Sequence, residues 1–261
     1  MKEKNTITVY WSSPMFNQVE DSWNMLYSEP EPVINQLVNR KQPIKDKRMS
    51  VLACPASNDF FKNLYVFKSN INDSCKWPEG YLEAVAKEMA PRELDDFITL
   101  DPTYGNKLSL ISPRPSSVSG HIDLLYNMSW IFFADEPLVA RFTAPYYPPF
   151  TPMKDAILTA GQFDIGQWFR PWNLNYFVPF DCPRFDIKED DPLFYFHAFT
   201  EKKIIFKRFQ AVQPIQTLYN EFVSSPGRYE RFIPLAKRYE LAKKTKMREI
   251  VLKEIKNNLV D

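Results

Sequence analysis

The chain has two histidines, His121 and His197, and both stand where chemistry could follow. His121 opens the triplet His-Ile-Asp, two residues before Asp123. Residues two apart on a strand point to the same face. His197 lies in Phe-Tyr-Phe-His-Ala-Phe, and Arg208 falls on the next expected strand. Two neutral imidazoles and one carboxylate can cover three positions of a divalent metal and leave others open. A nearby arginine can fork onto a carboxylate held beside that metal. The same residues also suit a plainer role. Phe196, His197 and Phe199 form an aromatic strand on which an imidazole simply packs.

The His-X-Asp … His pattern with a downstream arginine resembles the facial triad of the iron(II) and 2-oxoglutarate oxygenases, which are jelly rolls. The resemblance rests on His121, Asp123, His197 and Arg208 alone. It implies Fe(II) on the first three and 2-oxoglutarate on Arg208. Other catalytic schemes lack their motifs. There is no GxSxG elbow and no HExxH pair. GxGxxG and GxxxxGK[ST] loops are absent, and six glycines leave little backbone for cradling phosphates. The acidic run Asp186, Glu189, Asp190, Asp191 reads as a solvated turn in preference to a cation site. An enzyme is therefore not the first expectation.

Recognition without catalysis has its own candidates. Residues 163–172 read Phe-Asp-Ile-Gly-Gln-Trp-Phe-Arg-Pro-Trp. Trp168, Arg170 and Trp172 are the residue types that anchor interfaces, and Arg170 can stack on either ring. The alternative is a structural corner with aromatic anchors under a loop. Residues 145–152, Pro-Tyr-Tyr-Pro-Pro-Phe-Thr-Pro, are expected to form a rigid extended aromatic loop, since proline donates no backbone hydrogen bond. Between Lys237 and Lys256, eight Lys/Arg stand against three Glu. Such a tail can meet nucleic acid or be a solvated helix face, and its interspersed glutamates favour the second.

The elements that must position these residues are mostly strands. Phe and Tyr number 21 and 13, and both favour the pleated, half-buried surface of a sheet. Twenty-two prolines cut the chain into short segments. Strands are expected at 7–11, 49–54, 63–68, 95–100, 107–112, 124–133, 163–165, 174–179, 184–187, 193–200 and 203–209. Residues 33–38 suit a short helix or a strand. Glu201 and Lys202 read as a tight hairpin turn between the last two strands. Helices are expected at 79–89 and 214–222, and residues 229–259 are almost pure helix formers. Met247, Ile250, Val251, Ile255 and Leu259 recur there at three- and four-residue spacing, giving one apolar stripe. The reading is a β-sandwich or jelly-roll-like core over residues 1–212, with a helical, basic appendage over 213–261.

The chain resembles a family of uncharacterised proteins of tailed phages, especially those of marine bacteria. The likeness is carried by Thr8-Val-Tyr-Trp11, by Phe163-Asp-Ile-Gly-Gln-Trp-Phe-Arg-Pro171, by Asp191-Pro-Leu-Phe-Tyr195 and by Lys207-Arg-Phe209. It implies a phage-encoded protein of the host cytoplasm or the virion, and no particular activity. A fainter likeness, over residues 163–199, is to the β-core of dUTPases and dCTP deaminases, whose glycine-rich nucleotide motifs are missing. A net charge of +1 singles out no partner. Three scattered cysteines without a CxxC suggest reduced thiols in a cytosolic protein. No signal-peptide h-region and no apolar run of about 20 residues is present. The first expectation is a non-catalytic interaction or structural protein whose partner is a second copy or another phage or host protein. The alternatives are the oxygenase and a nucleotide or nucleic-acid binder.

Overall fold

The computed structural model describes residues 5–12, 28–38, 54–69, 73–77, 79–86, 99–100, 111–147, 156–182, 184–223 and 235–260. The protein is mostly β, a two-sheet sandwich with helices appended at its C-terminal end, as its composition and strand rhythm imply.

The larger sheet is built on β1 (Thr6–Ser12) and β7 (His121–Ala134). β14 (Lys203–Arg208) runs parallel to β1, from Thr6 opposite Lys203 to Trp11 opposite Arg208. On its other side β1 pairs antiparallel with the end of β7. β7 also pairs with β6 (Ile111–Pro115) and β11 (Trp172–Pro179), and β11 carries the short β9 (Ile157–Leu158). The second sheet has the order β10 (Gly161–Asp164), β8 (Val139–Thr143), β13 (Pro192–Ala198), β3 (Leu64–Lys68), β2 (Glu31–Pro32). A third, small sheet joins β12 (Arg184–Ile187), β4 (Asp73–Lys76) and β5 (Thr99–Leu100).

The aromatic richness is spent between the two main sheets. Phe67 lies flat on Phe194, with ring centroids 4.7 Å apart, and meets Trp11, Phe132 and Phe206 edge-on. Phe142 and Trp172 close the other side of this cluster at 4.3 Å. Edge-to-face and stacked pairs each add about 0.5–1.5 kcal/mol beyond simple burial. A core made of flat rings therefore has a preferred geometry as well as a large apolar area.

Three helices cover part of the larger sheet's other face. These are α4 (Gln213–Val223), α5 (Leu235–Lys244) and α6 (Met247–Asn257), numbered after the three helices described below. Val251, Leu252 and Ile255 of α6 and Ile215 of α4 pack with Tyr10, Ile131, Phe133, Phe169 and Phe209 in a second apolar cluster. The apolar stripe of the tail is thus docked on its own sheet, although Ile250 lies off it and is exposed. The expected helical run 229–259 is interrupted: Lys246, at φ 55°, sits left-handed between α5 and α6. Residues 229–234 lie outside the described residues.

One local expectation is corrected. Glu201 and Lys202 do not turn a hairpin, because β13 and β14 belong to different sheets. The segment crosses the sandwich and is held there. Asn63, left-handed at φ 53°, donates from Nδ2 to the carbonyls of Thr200 and Lys202 at 2.8 and 2.9 Å. Lys202 Nζ meets Glu136 at 2.6 Å. Expected strand 49–54 falls almost wholly outside the described residues, as do 95–98 and 107–110 of two others.

Three short helices lie elsewhere: α1 (Val33–Val38), α2 (Pro55–Phe61) and α3 (Tyr81–Ala86). Pro55 opens α2, where its missing N–H costs nothing. Cys54, just before it, is exposed and Cys182 is buried, and both are free thiols. Among the described residues no helix is long and apolar enough to cross a membrane.

Candidate binding surface

Among the described residues, the outer face of the second sheet is buried at one end and exposed at the other. Leu64 and Val66 of β3 and Tyr195 of β13 are buried under Val33 of α1 and Phe61 of α2. The Tyr195 hydroxyl accepts from the Tyr147 N–H and donates to Gln36 Oε1, each at 3.3 Å. Burial pushes that phenol up to about 12. Further along the same face come His197 of β13 and, just past the strand's end, Phe199. His197 is half-buried, and Phe199 is 43% exposed.

Strand register builds a row at this edge. Gln162 of β10 lies opposite Arg141 of β8, and Arg141 lies opposite His197 of β13. Directly opposed residues share a face and sit about 5 Å apart. Arg141 donates from Nε and Nη2 to Gln162 Oε1, at 3.2 and 3.0 Å. Its guanidinium carbon lies 4.9 Å from the Phe199 ring centre, a cation–π distance. The His197 ring is 4.7 Å from Phe199 and 5.7 Å from Phe60 of α2. Phe60 in turn meets Tyr146 at 6.0 Å. Tyr146, Phe60, His197, Phe199 and Arg141 therefore form one continuous shelf, with Phe60 and Tyr146 about as exposed as Phe199.

The electrostatics of the shelf are simple. Burial first, then the Arg141 charge, hold the His197 imidazole below its ordinary value of 6.5, opposed by a backbone hydrogen bond at Lys62. Both effects favour the neutral imidazole. Lys62 itself is paired with Glu201. Arg141 has no carboxylate partner among the described residues. Burial and the neighbouring Tyr147 and Tyr195 raise the Tyr146 phenol, so it stays neutral.

The residues singled out for metal chemistry are not brought together. His121 and Asp123 share a face of β7 in the larger sheet, and His121 Nδ1 lies 2.8 Å from the Ser119 carbonyl. His197 is on β13 in the other sheet. Among the described residues no three His, Cys, Asp or Glu side chains are grouped to hold a metal. Arg208 ends β14 beside Trp11, in a different sheet from His197. Fe(II) and 2-oxoglutarate thus have no common site in these residues.

The segment 163–172 forms a corner between β10 and β11. Asp164 accepts from the N–H groups of Gly166, Gln167 and Trp168. Trp168 stacks on Tyr239 of α5 at 5.0 Å, and Arg170 lies over Trp168 at 5.6 Å. Trp172 packs against Phe142 and Phe194. Trp168, with Arg170 over it, joins the corner to α5, whereas Trp172 belongs to the core between the sheets. Of the other aromatic loop, Tyr146 is part of the shelf and Tyr147 packs with Phe61 and Tyr195 beneath α2; residues 148–152 lie outside the described residues.

The sequence reading passed over Phe60, Arg141 and Phe199 as site residues. Phe60 stands in a helix that no periodicity marks, and Arg141 is one charge in an unremarked strand. Pairing of β8 with β13 brings Arg141 beside His197, and α2 adds Phe60. No protein-family model matches the chain, and no curated protein and no solved structure is significantly similar to it.

Proposed function

We propose that the protein is a non-catalytic recognition protein, phage-encoded as the sequence resemblance implies, and that it engages a partner protein through the shelf of Tyr146, Phe60, His197, Phe199 and Arg141. The observation that carries this reading is the contiguity of three exposed rings with an arginine that, among the described residues, has no carboxylate partner. Aromatic residues and arginine are the side chains that most often dominate binding energy. Strands β8 and β13 hold Arg141 and His197, and the rings pack on them from α2 and from the residues that follow each strand, which lowers the ordering cost of association.

The test is a random twelve-residue peptide display library, selected on the full chain and on a Phe60→Ser/Phe199→Ser variant. Both substituted rings are exposed, so the variant keeps its fold, checked by thermal unfolding. Enrichment on the wild type that disappears on the variant supports the reading. Equal enrichment on both, or none on either, sinks it.

A further inference from the structure

Resting on that reading, we infer that the shelf recognises an aromatic peptide segment bearing a carboxylate, with the rings taking the aromatic side chain and Arg141 taking the acid. Nε and Nη2 form the edge of a guanidinium that matches a carboxylate with two parallel hydrogen bonds. In Arg141 that edge is turned to Gln162 Oε1, a neutral oxygen. A carboxylate is the stronger acceptor for the same two donors and can join or displace the amide. Phe199 below the guanidinium and Gln162 beside it keep the fork from sweeping freely. Burial and the Arg141 charge favour the neutral form of His197, which disfavours a second positive charge beside the fork.

The number of cations decides between classes of partner. Nucleic acid binds through many neutralised phosphates. Here Lys62 is spent on Glu201, Lys202 on Glu136 and Lys68 on Glu31. Among the described residues the shelf therefore offers Arg141 as its cation against several neutral rings. That ratio matches one acid beside one or two aromatic side chains, and it is a poor match to a polyanion. The rings run from Tyr146 to Phe199 through centroid steps of 6.0, 5.7 and 4.7 Å, a path long enough for a few residues of extended peptide.

The experiment uses the full chain, labelled with ¹⁵N, and three probes: acetyl-Phe-Tyr-Glu amide, acetyl-Phe-Tyr-Gln amide and hexathymidylate. The expected result is that the Glu peptide moves the Arg141 Nε–H and His197 signals and binds about tenfold tighter than the Gln peptide, since charge-assisted hydrogen bonds are roughly twice as strong as neutral ones. Arg141→Gln should erase that preference while leaving weak binding of both peptides. Its amide spectrum, unchanged elsewhere, reports that it is folded. Equal affinity for the two peptides on the wild type, or a preference that survives Arg141→Gln, overturns the inference. So does tighter binding of hexathymidylate at the same signals, which would make single-stranded nucleic acid the ligand. Library enrichment that depends on the rings but shows no acidic residue would refute this inference and leave the shelf's binding role standing. Loss of ring-dependent enrichment would refute both.

Discussion

His197 shows how little a residue's type says until its neighbours are known. Its imidazole faces Phe60 from α2, Phe199 from the end of its own strand, the Arg141 charge from β8 and the Lys62 backbone. Burial and Arg141 both disfavour its protonated form, so its folded value lies below 6.5. The unfolded chain then binds the extra proton first as pH falls. Stability conferred by the neutral imidazole is complete above about 6.5 and declines below it, down to the folded value. Urea unfolding of the wild type and His197→Gln between pH 7.5 and 5 should show the wild type losing more stability on acidification. Parallel pH profiles would mean that His197 does not titrate differently on folding. The spacing to Asp123 and Arg208 is visible in the sequence, but spacing reports which face of a strand a residue occupies. It does not report which sheet that strand joins, and here the sheets differ.

At the scale of elements, β7 is the strand whose environment can be followed most directly in its residues. From His121 to Asn127 buried Ile122, Leu124 and Tyr126 alternate with partly exposed neighbours, the mark of a half-covered sheet. From Trp130 to Ala134 every residue is buried, because α6 covers one face and the opposite sheet the other. Continuous apolar residues there signal two-sided cover before any helix is placed. The corner after β10 could be recognised as a turn but not as a junction. Arg248 of α6 donates to the carbonyls of Gly166, Ala134 and Asp135 at 3.0, 3.3 and 2.6 Å. A Cβ on Gly166 would stand 2.7 Å from the Glu136 carbonyl oxygen and 2.8 Å from Pro137 Cα, both backbone atoms. Gly166→Ala should therefore cost about 1–3 kcal/mol through overpacking. Arg248→Met should cost about 2–3 kcal/mol by stripping donors from three carbonyls. Because both act on one junction, the double variant should lose less than the sum in denaturant unfolding. Full additivity would show that corner and helix are held independently.

For the whole molecule, the consequence is that the helical end and the sandwich share a core. Tyr10, Ile131, Phe133, Phe169 and Phe209 are buried with residues of α4 and α6. Gln210 donates to the Asn258 carbonyl, and Val260 donates to that of Arg208, tying the end of α6 back to β14. A chain cut after residue 212 should expose this apolar face and fail to yield a soluble monomer, measured by size-exclusion chromatography. A monodisperse, cooperatively unfolding fragment would instead show that the helices are dispensable. Length, aromatic content and the rhythm of short runs between prolines were enough to define a β-sandwich with helices after it, because propensity and periodicity are local properties that each segment carries by itself. The apolar stripe of the tail was likewise visible in the sequence. Which surface buries it, the crossing at Glu201–Lys202 and the assembly of Gln162, Arg141 and His197 into one row were decided by tertiary structure alone. Pairing between strands far apart in the chain depends on the packing of the whole core, and no short stretch of sequence contains it.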